Sequence, residues 1–475
     1  MDGNCTSRFY TNLLIAKYLK QNGLEDSLAA FIRETALPFS ALEESKRSNG
    51  IVGEVPIESL QNIIQDRICY KKSSFQDRFK TLSVNDELAP IDNARYGIEP
   101  WNHNIKFSLD LNLNKVLPRD TLFISANFID NDKNLLLSSA TGELTIYDVQ
   151  RTTSKVLNAH KVVKGIIKLC GSIGRSGYHY VCPMNGRFYL LNKNFEFITD
   201  AVWKVHSRMI THIKICTFTE SSWYIISSGM DNLLKLSLLE VQDGKILFKQ
   251  LSEIKLVSNC TSLNVITDDG NNDGRTKFSV FLTRAEFTHI ACYAISDAKA
   301  LVHSYNIALN NAEFSTYAFN IRDAIVADFV HSGSEDVIKL AQSSMLVVAT
   351  SHKPYMRLML VEIPMEIDHF ESTVSEATPK TYYDKVLRNF ATEISQDDFS
   401  LPILQSLKTS NGILVGNDEG IYSIDLMNGD SRLLNIPDGA KSLRNRIKCM
   451  DVSEDQMRVV AGTSDKSICM LNITK

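Results

Sequence analysis

The 475-residue chain contains no run approaching 18 apolar residues, no pronounced excess of either charge, and no paired cysteine motif. Each absence removes a class of function. Without a long apolar run no membrane-spanning helix is expected. Met1-Asp2-Gly3-Asn4 also lacks the basic start and apolar core of a signal peptide, so the chain is read as residing in the nucleus or cytoplasm. A net charge of -4 supplies no global drive toward nucleic acid or an anionic membrane, so direct nucleic-acid binding is not expected and any patch must be local. The nine cysteines include no Cys-x-x-Cys pair and no histidines at zinc-finger spacing, so they read as buried reduced thiols. Cys216, Cys292 and Cys469 sit among alternating apolar residues, where a thiol behaves as a small hydrophobe. Gly-x-Ser-x-Gly, His-Glu-x-x-His and the phosphate-binding Gly-x-x-x-x-Gly-Lys-Ser/Thr loop are missing too. His179, His289 and His352 lie in or beside strand-like runs without ligand partners at recognisable spacing. No catalytic residue, cofactor or metal is therefore expected, and a propeller enzyme would need a polar channel cluster that the sequence does not display.

What is present is repetition. From about residue 105 the chain becomes short β-branched and apolar runs separated by turn residues, the pattern of paired antiparallel strands. Leu135-Leu136-Leu137-Ser138-Ser139-Ala140-Thr141-Gly142 leading into Leu144-Thr145-Ile146-Tyr147-Asp148 is the clearest unit. Similar hairpins follow at Tyr180, Ile225, Val280, Val347, Leu414 and Val459, with steps of 45, 45, 55, 67, 67 and 45 residues. The longer steps call for insertions, available at Asp268 to Asp273, Ser332 to Asp336 and Asp368 to Thr378. Val386, Leu387, Phe390 and Ile394 are helically spaced and predict a short helix over 384–394. Seven such units predict a mainly β, seven-bladed β-propeller. The chain stops after the third strand of its seventh unit, and Ile105, Phe107, Leu109, Leu111 and Leu113 alternate strictly with polar residues. That N-terminal strand is predicted to complete blade seven and close the ring.

The unit resembles the WD repeat, whose blades run to roughly 40 to 45 residues. Tyr147-Asp148 stands for Trp-Asp, Ala159-His160 and Val205-His206 stand for Gly-His, and Asp231 and Asp465 occupy the tight turn where that family carries a structural aspartate. The resemblance implies hydrogen-bond networks within blades at these residues.

Ahead of the repeats, Leu14, Ile15, Tyr18 and Leu19 line one face of a helix, Gly23 breaks it, and Ser27, Leu28, Ala30 and Phe31 restart the helical period. Helices this short are marginal alone, and two copies would bury their apolar faces in a four-helix bundle. A dimer core of Leu14, Ile15, Tyr18, Leu19, Leu28 and Phe31 follows. Leu14-Ile15, Tyr18-Leu19, Gly23, Ala30-Phe31 and Glu34-Thr35 resemble the Lis-homology (LisH) self-association motif, with Thr11 and Leu28 departing from its usual leucine and alanine.

Val55-Pro56 then opens a helix to Tyr70 that places Ile57, Leu60, Ile64 and Ile68 on one stripe. This order of LisH motif, packing helix and propeller resembles the transducin-beta-like corepressor subunits and their fungal relatives. The resemblance implies an oligomeric scaffold that bridges histone deacetylase complexes to chromatin or transcription factors, with Tyr18, Phe31, Leu60 and Ile64 in the oligomer core. The alternative is a cytoplasmic scaffold of a ubiquitin-ligase or dynein-regulating complex. Against it, too few helices follow the motif for a CTLH domain, no heptads continue a coiled coil, and Arg151 falls one place late for the Trp-Asp-x-Arg of cullin-ligase receptors. The segments are thus a LisH motif over 7–40, a packing helix and linker over 41–104, and a propeller over 105–475.

In a propeller the connections entering each blade's first strand gather at one end of the channel. Three are basic: His160, Lys161 and Lys164 before blade two; Lys204, His206 and Arg208 before blade three; Lys441, Arg444, Arg446 and Lys448 before blade seven. Together they predict a cationic crescent for protein partners, suited to acidic or phosphorylated peptides, or to a nucleic-acid backbone.

Overall fold

The computed structural model describes residues 3–35, 37, 60, 64, 100–118, 120–242, 244–268, 277–296, 298–310, 319–328, 344–364, 379–434, 436 and 443–474. The chain divides into two compact units, Met1–Glu87 with Glu376–Asp384, and Leu88–Ser375 with Lys385–Lys475.

In the first unit, helix α1 spans Gly3–Gln21 and α2 spans Glu25–Thr35. Gly23 stops α1 for a specific reason. Its φ of 69° is cheap only for glycine, and it lets the Leu24 and Gly23 amides turn back to the carbonyls of Leu19 (3.0 Å) and Lys20 (3.3 Å). Glu25 and Asp26 then sit in the first turn of α2, where negative charge favours the helix. Leu13, Ala16, Leu28 and Leu37 form the small core of the hairpin, flanked by Leu19, Phe31 and Ile32.

The second unit is a ring of seven antiparallel blades. Blade one comprises Phe123–Ile129, Asn134–Ser139, Leu144–Asp148 and Thr153–Leu157. Blades two, three, four and six occupy residues 167–204, 210–255, 260–308 and 403–433, and blade five comprises Ile321–Asp328, Ser344–Thr350, Tyr355–Glu362 and Val386–Ser395. The seven hairpin positions of the sequence pattern, from Leu135 to Val459, all fall in the second strands of their blades. First strands of successive blades pack against one another all the way round, blade seven meeting blade one. The central positions of each blade are buried on both faces, which is why runs such as Leu135-Leu136-Leu137 read as continuously apolar.

Blade seven is assembled from both ends of the propeller sequence. Ile447–Val452, Arg458–Thr463 and Ile468–Thr474 are joined by Lys106–Asp110, which runs antiparallel to Ile468–Thr474 with Lys106 opposite Thr474 and Asp110 opposite Met470. The alternating pattern in the sequence extends further than this strand. Leu111 is exposed, and Leu113, packed in the apolar cluster between blades seven and one, opens a one-turn helix, Leu113–Val116.

One element contradicts the sequence reading. Val386–Ser395 is the outer strand of blade five, not a helix. Phe390 and Ile394 fit both periods, but Phe390, Thr392 and Ile394 are buried in alternation, and the exposed edge of Tyr355–Glu362 supplies backbone partners that a helix would leave unpaired. The insertions expected at Ser332 to Asp336 and Asp368 to Thr378 lie outside the described residues, as does the segment after Asp268.

Polar staples cross the seams between first strands. Asn264 Nδ2 donates to the Ala324 carbonyl (2.7 Å), and Gln405 Nε2 donates to the Met450 carbonyl (2.9 Å). Asp323 accepts from the Leu404 amide (2.9 Å), and Asp451 accepts from the Phe128 amide (2.8 Å). Asn127 reaches Cys170 Sγ at 3.6 Å, and Cys170 is a buried thiol, as are Cys182, Cys216, Cys260, Cys292, Cys449 and Cys469.

If closure by Lys106–Asp110 holds the ring, Leu109→Pro should be costly, because proline cannot donate to the ladder and opens an edge beside Ile468–Thr474. We expect a loss of about 2–3 kcal/mol in the propeller transition by calorimetry. An unchanged transition would show that the strand is dispensable.

Candidate functional site

Connections into the first strands and turns between second and third strands share one end of the ring. Gly186 shows how closely they pack. Its amide neighbourhood leaves no room for a side chain, since a Cβ there would lie 2.1 Å from the Arg208 carbonyl oxygen and 2.4 Å from that of His206. Blade two's turn thus locks onto the connection into blade three.

The basic residues picked from the sequence divide at this face. His160, Lys161, Lys164, Lys204, Arg208, Arg444 and Lys448 are exposed, and Lys204 also donates to the carbonyls of Asn185 and Ser207. Arg446 is half-buried and committed. Its Nε pairs with Asp418 at 3.0 Å, and its Nη2 donates to the Phe399 carbonyl. Lys441 lies outside the described residues.

His206 does not belong to any exposed crescent. It is 1% exposed, its Nδ1 donates to Asp231 Oδ1 (2.8 Å), and its Nε2 accepts from the Ser227 hydroxyl (2.9 Å). Burial lowers the imidazole pKa despite the opposing pull of Asp231, so the ring is neutral. Asp231 keeps its charge because donors from His206 and the Ser207 amide outweigh its own desolvation. Gly229 makes room for the pair, as a Cβ there would fall 2.7 Å from both His206 Nδ1 and Asp231 Oδ1.

The other residues matched to the repeat signature behave differently. His160 is exposed and joins no such network, because blade two's turn offers Asn185 and Gly186 where blade three offers Asp231. Asp465 accepts from Asn445 Nδ2 (2.9 Å) and from Thr463 Oγ1. Asp148 caps its own turn through the amides of Gln150 (3.0 Å) and Arg151 (2.8 Å), beside a fully buried Tyr147.

The channel carries the polar cluster that the sequence did not reveal. Asp323 of blade five and Asp451 of blade seven lie in first strands, and the exposed Lys214, in the first strand of blade three, lowers both carboxyls slightly. Burial pushes both carboxyls up to about 7, against amide donors that lower them. Burial likewise lowers His212 to about 4, with Lys214 and Lys168 adding to the shift, and holds Lys168 below the usual lysine value. At the opposite end of the ring a cavity of about 730 Å³ is lined by Asp130, Asp132, Glu220, Glu454 and Arg175, among others, with Arg175 paired to Glu454 (3.2 Å). No group of three or more potential metal ligands occurs among the described residues. The missed channel residues had one readable signal, a polar residue inside an apolar first strand: Asn127, Asn264, Gln405 and Asp451.

Two further residues were missed. Phe399 and Leu401, on the connection into blade six, are 77% and 63% exposed. Sequence reasoning assigns such residues to a core by default.

In the helical unit, Leu14 and Leu28 are buried within one chain, while Ile15, Tyr18, Leu19 and Phe31 stay half-buried. Leu60 is half-buried and Ile64 is exposed on the described part of the packing helix; Ile57 and Ile68 lie outside the described residues.

The carboxyl of Asp451 offers a signed test. Its folded value lies above that of an unfolded aspartate, so its burial destabilises the ring above about pH 7 and ceases to do so as pH falls through the ordinary carboxylate range. Asp451→Asn retains an acceptor for the Phe128 amide and is expected to raise the melting temperature at about pH 8, with little effect near pH 4. A larger gain in acid than in alkali would contradict this assignment.

Comparison with known proteins agrees with this architecture. Residues 9–43 match the family model described as "UCP007778, LisH domain", and residues 82–472 match "UCP007778, beta-propeller domain". A Saccharomyces cerevisiae relative named "Uncharacterized protein YGR117C" is 68% identical over 475 residues, covering 100% of this chain and 99% of the relative. The chain belongs to the UCP007778 family, with a LisH domain followed by a beta-propeller domain.

Proposed function

We propose that this protein is a non-enzymatic scaffold that pairs chains through its LisH helices and holds protein partners on the loop face of its propeller. One observation carries the pairing. After α1 and α2 have packed on each other, Ile15, Tyr18, Leu19 and Phe31 still expose part of their apolar surface on helices too short to be stable alone. A second copy would cover them. Pairing sets two propellers at high effective concentration, so weak peptide contacts become avid without further contact area.

The loop face supports partner capture, because Lys161, Lys164, Arg208, Arg444 and Lys448 remain exposed there. The likeness to transducin-beta-like subunits favours a nuclear, deacetylase-type corepressor complex as the setting. Affinity purification followed by mass spectrometry tests that setting. Deacetylase subunits would support it, and ligase or dynein subunits in their place would move the scaffold to the cytoplasm.

Light scattering tests the pairing itself. The full chain is expected to give twice the mass of one chain, and the chain without residues 1–40 the mass of one. The same number of chains per particle for the two proteins would overturn the reading.

A further inference from the structure

The connection from blade five to blade six, residues 396–401, is tethered at nearly every residue. Gln396 Nε2 donates to the carbonyls of Thr350 (2.8 Å) and His352 (2.5 Å), and its amide donates to the Pro354 carbonyl (2.9 Å). Arg322 Nη2 donates to the carbonyls of Asp397 (3.3 Å) and Asp398 (3.0 Å), and Lys353 Nζ pairs with Asp398 (2.7 Å). The Phe399 amide donates to Asp397 Oδ1 (2.7 Å), while its carbonyl accepts from Arg446. Ser400 is buried, and its hydroxyl faces both Asp397 and Asp418.

A loop this constrained has no freedom to fold its own apolar side chains away. Yet Phe399 and Leu401 stand in solvent, and Tyr355, at the start of the adjoining strand and opposite Ser395, is 54% exposed. Exposed apolar residues scattered singly need no explanation, but two large ones fixed by a polar network have the form of a binding anchor. Rigid presentation removes the ordering cost that a mobile loop would bring to an interface.

The surroundings specify the occupant. Arg446 touches the Phe399 carbonyl, Arg444 is exposed on the same connection, and Lys448 is exposed near the start of the strand Ile447–Val452 that follows. The acids of the anchor's own loop are engaged, Asp398 by Lys353 and Asp397 by the Phe399 amide and the Ser400 hydroxyl, whereas Arg444 and Lys448 are exposed cations on the chain that Arg446 ties to the Phe399 carbonyl.

We propose that Phe399 and Leu401 form the apolar half of a docking site for an acidic peptide segment of a partner protein, one bearing a bulky apolar side chain beside its carboxylates. This rests on the scaffold reading above and gives the captured segment its chemistry. A nucleic-acid backbone would engage the cations and have no use for the two apolar residues.

A phage-displayed library of random short peptides, panned against the full chain, tests the site. Enriched peptides are expected to combine Asp or Glu with Phe, Leu or Trp. They should bind the Phe399→Ala/Leu401→Ala protein about tenfold or more weakly, as befits loss of an anchor. The melting temperature should not change, since both side chains are exposed. Arg444→Glu/Lys448→Glu should weaken the same peptides, and added salt should do so in the wild type. No enrichment, peptides lacking acidic or apolar residues, or undiminished binding to the alanine variant would each overturn the anchor. Binding of a single-stranded oligonucleotide to the cations, with the selected peptides failing to displace it, would assign the face to nucleic acid and overturn the proposal too. A chain that fails to pair by light scattering would sink the scaffold reading while leaving the peptide result untouched.

Discussion

The ring depends on the pairing of Lys106–Asp110 with Ile468–Thr474. A propeller has no single central core, so its apolar burial is divided among seams, and a seam exists only while the ring stays shut. Here the closing seam joins residues more than three hundred positions apart. Asp451 accepts from the Phe128 amide, and Asp132 accepts from the amides of Glu454 (2.9 Å) and Asp455 (2.8 Å). Behind these lie Phe123, Leu135, Val460 and Met470 in one apolar cluster. Contacts of such sequence separation form late and slowly, which makes the terminal strand a thermodynamic lock rather than a folding nucleus.

Closure also explains the polar residues of the inner strands. A first strand is flanked by two others across the channel, and each must be held at a fixed angle with little apolar area to share. Asn264 and Gln405 reach a neighbour's carbonyl, while Asp323 and Asp451 receive a neighbour's amide. The carboxylates reach this geometry only by losing hydration, which raises their pKa values, and the amides they accept from offset part of that cost. The channel cluster is therefore accounted for as seam architecture before any chemistry is invoked.

How legible this was depends on whether the signal was local. Hairpins repeat within about ten residues, so Leu135, Tyr180 and their counterparts could be aligned without a structure. The outer strand Val386–Ser395 could not, because Phe390 and Ile394 fit periods of both 3.6 and 2, and only the waiting edge of blade five decides between them. Val205-His206 and Ala159-His160 look alike in sequence. They part because His206 meets Ser227 and Asp231, whereas His160 meets a turn without an acid. Arg446 looked available until Asp418, on the neighbouring blade, was found beside it. Phe399 was invisible for the opposite reason, as nothing local says that an aromatic residue will be held outward.

The worn repeat signature then has a physical reading. In blades three, six and seven an aspartate occupies the turn between second and third strands, and in each it receives donors from a connecting loop. Asp231 takes His206 and Ser207, Asp418 takes Ser400 and Arg446, and Asp465 takes Asn445. The requirement is for N–H or O–H donors at the right distance from a carboxylate, not for a histidine. Blade six meets it with a serine and with an arginine borrowed from the next connection, and that borrowing fixes the backbone of Phe399. Departure from the repeat's usual residues and the outward display of an apolar anchor are thus two consequences of one substitution in how a turn is held.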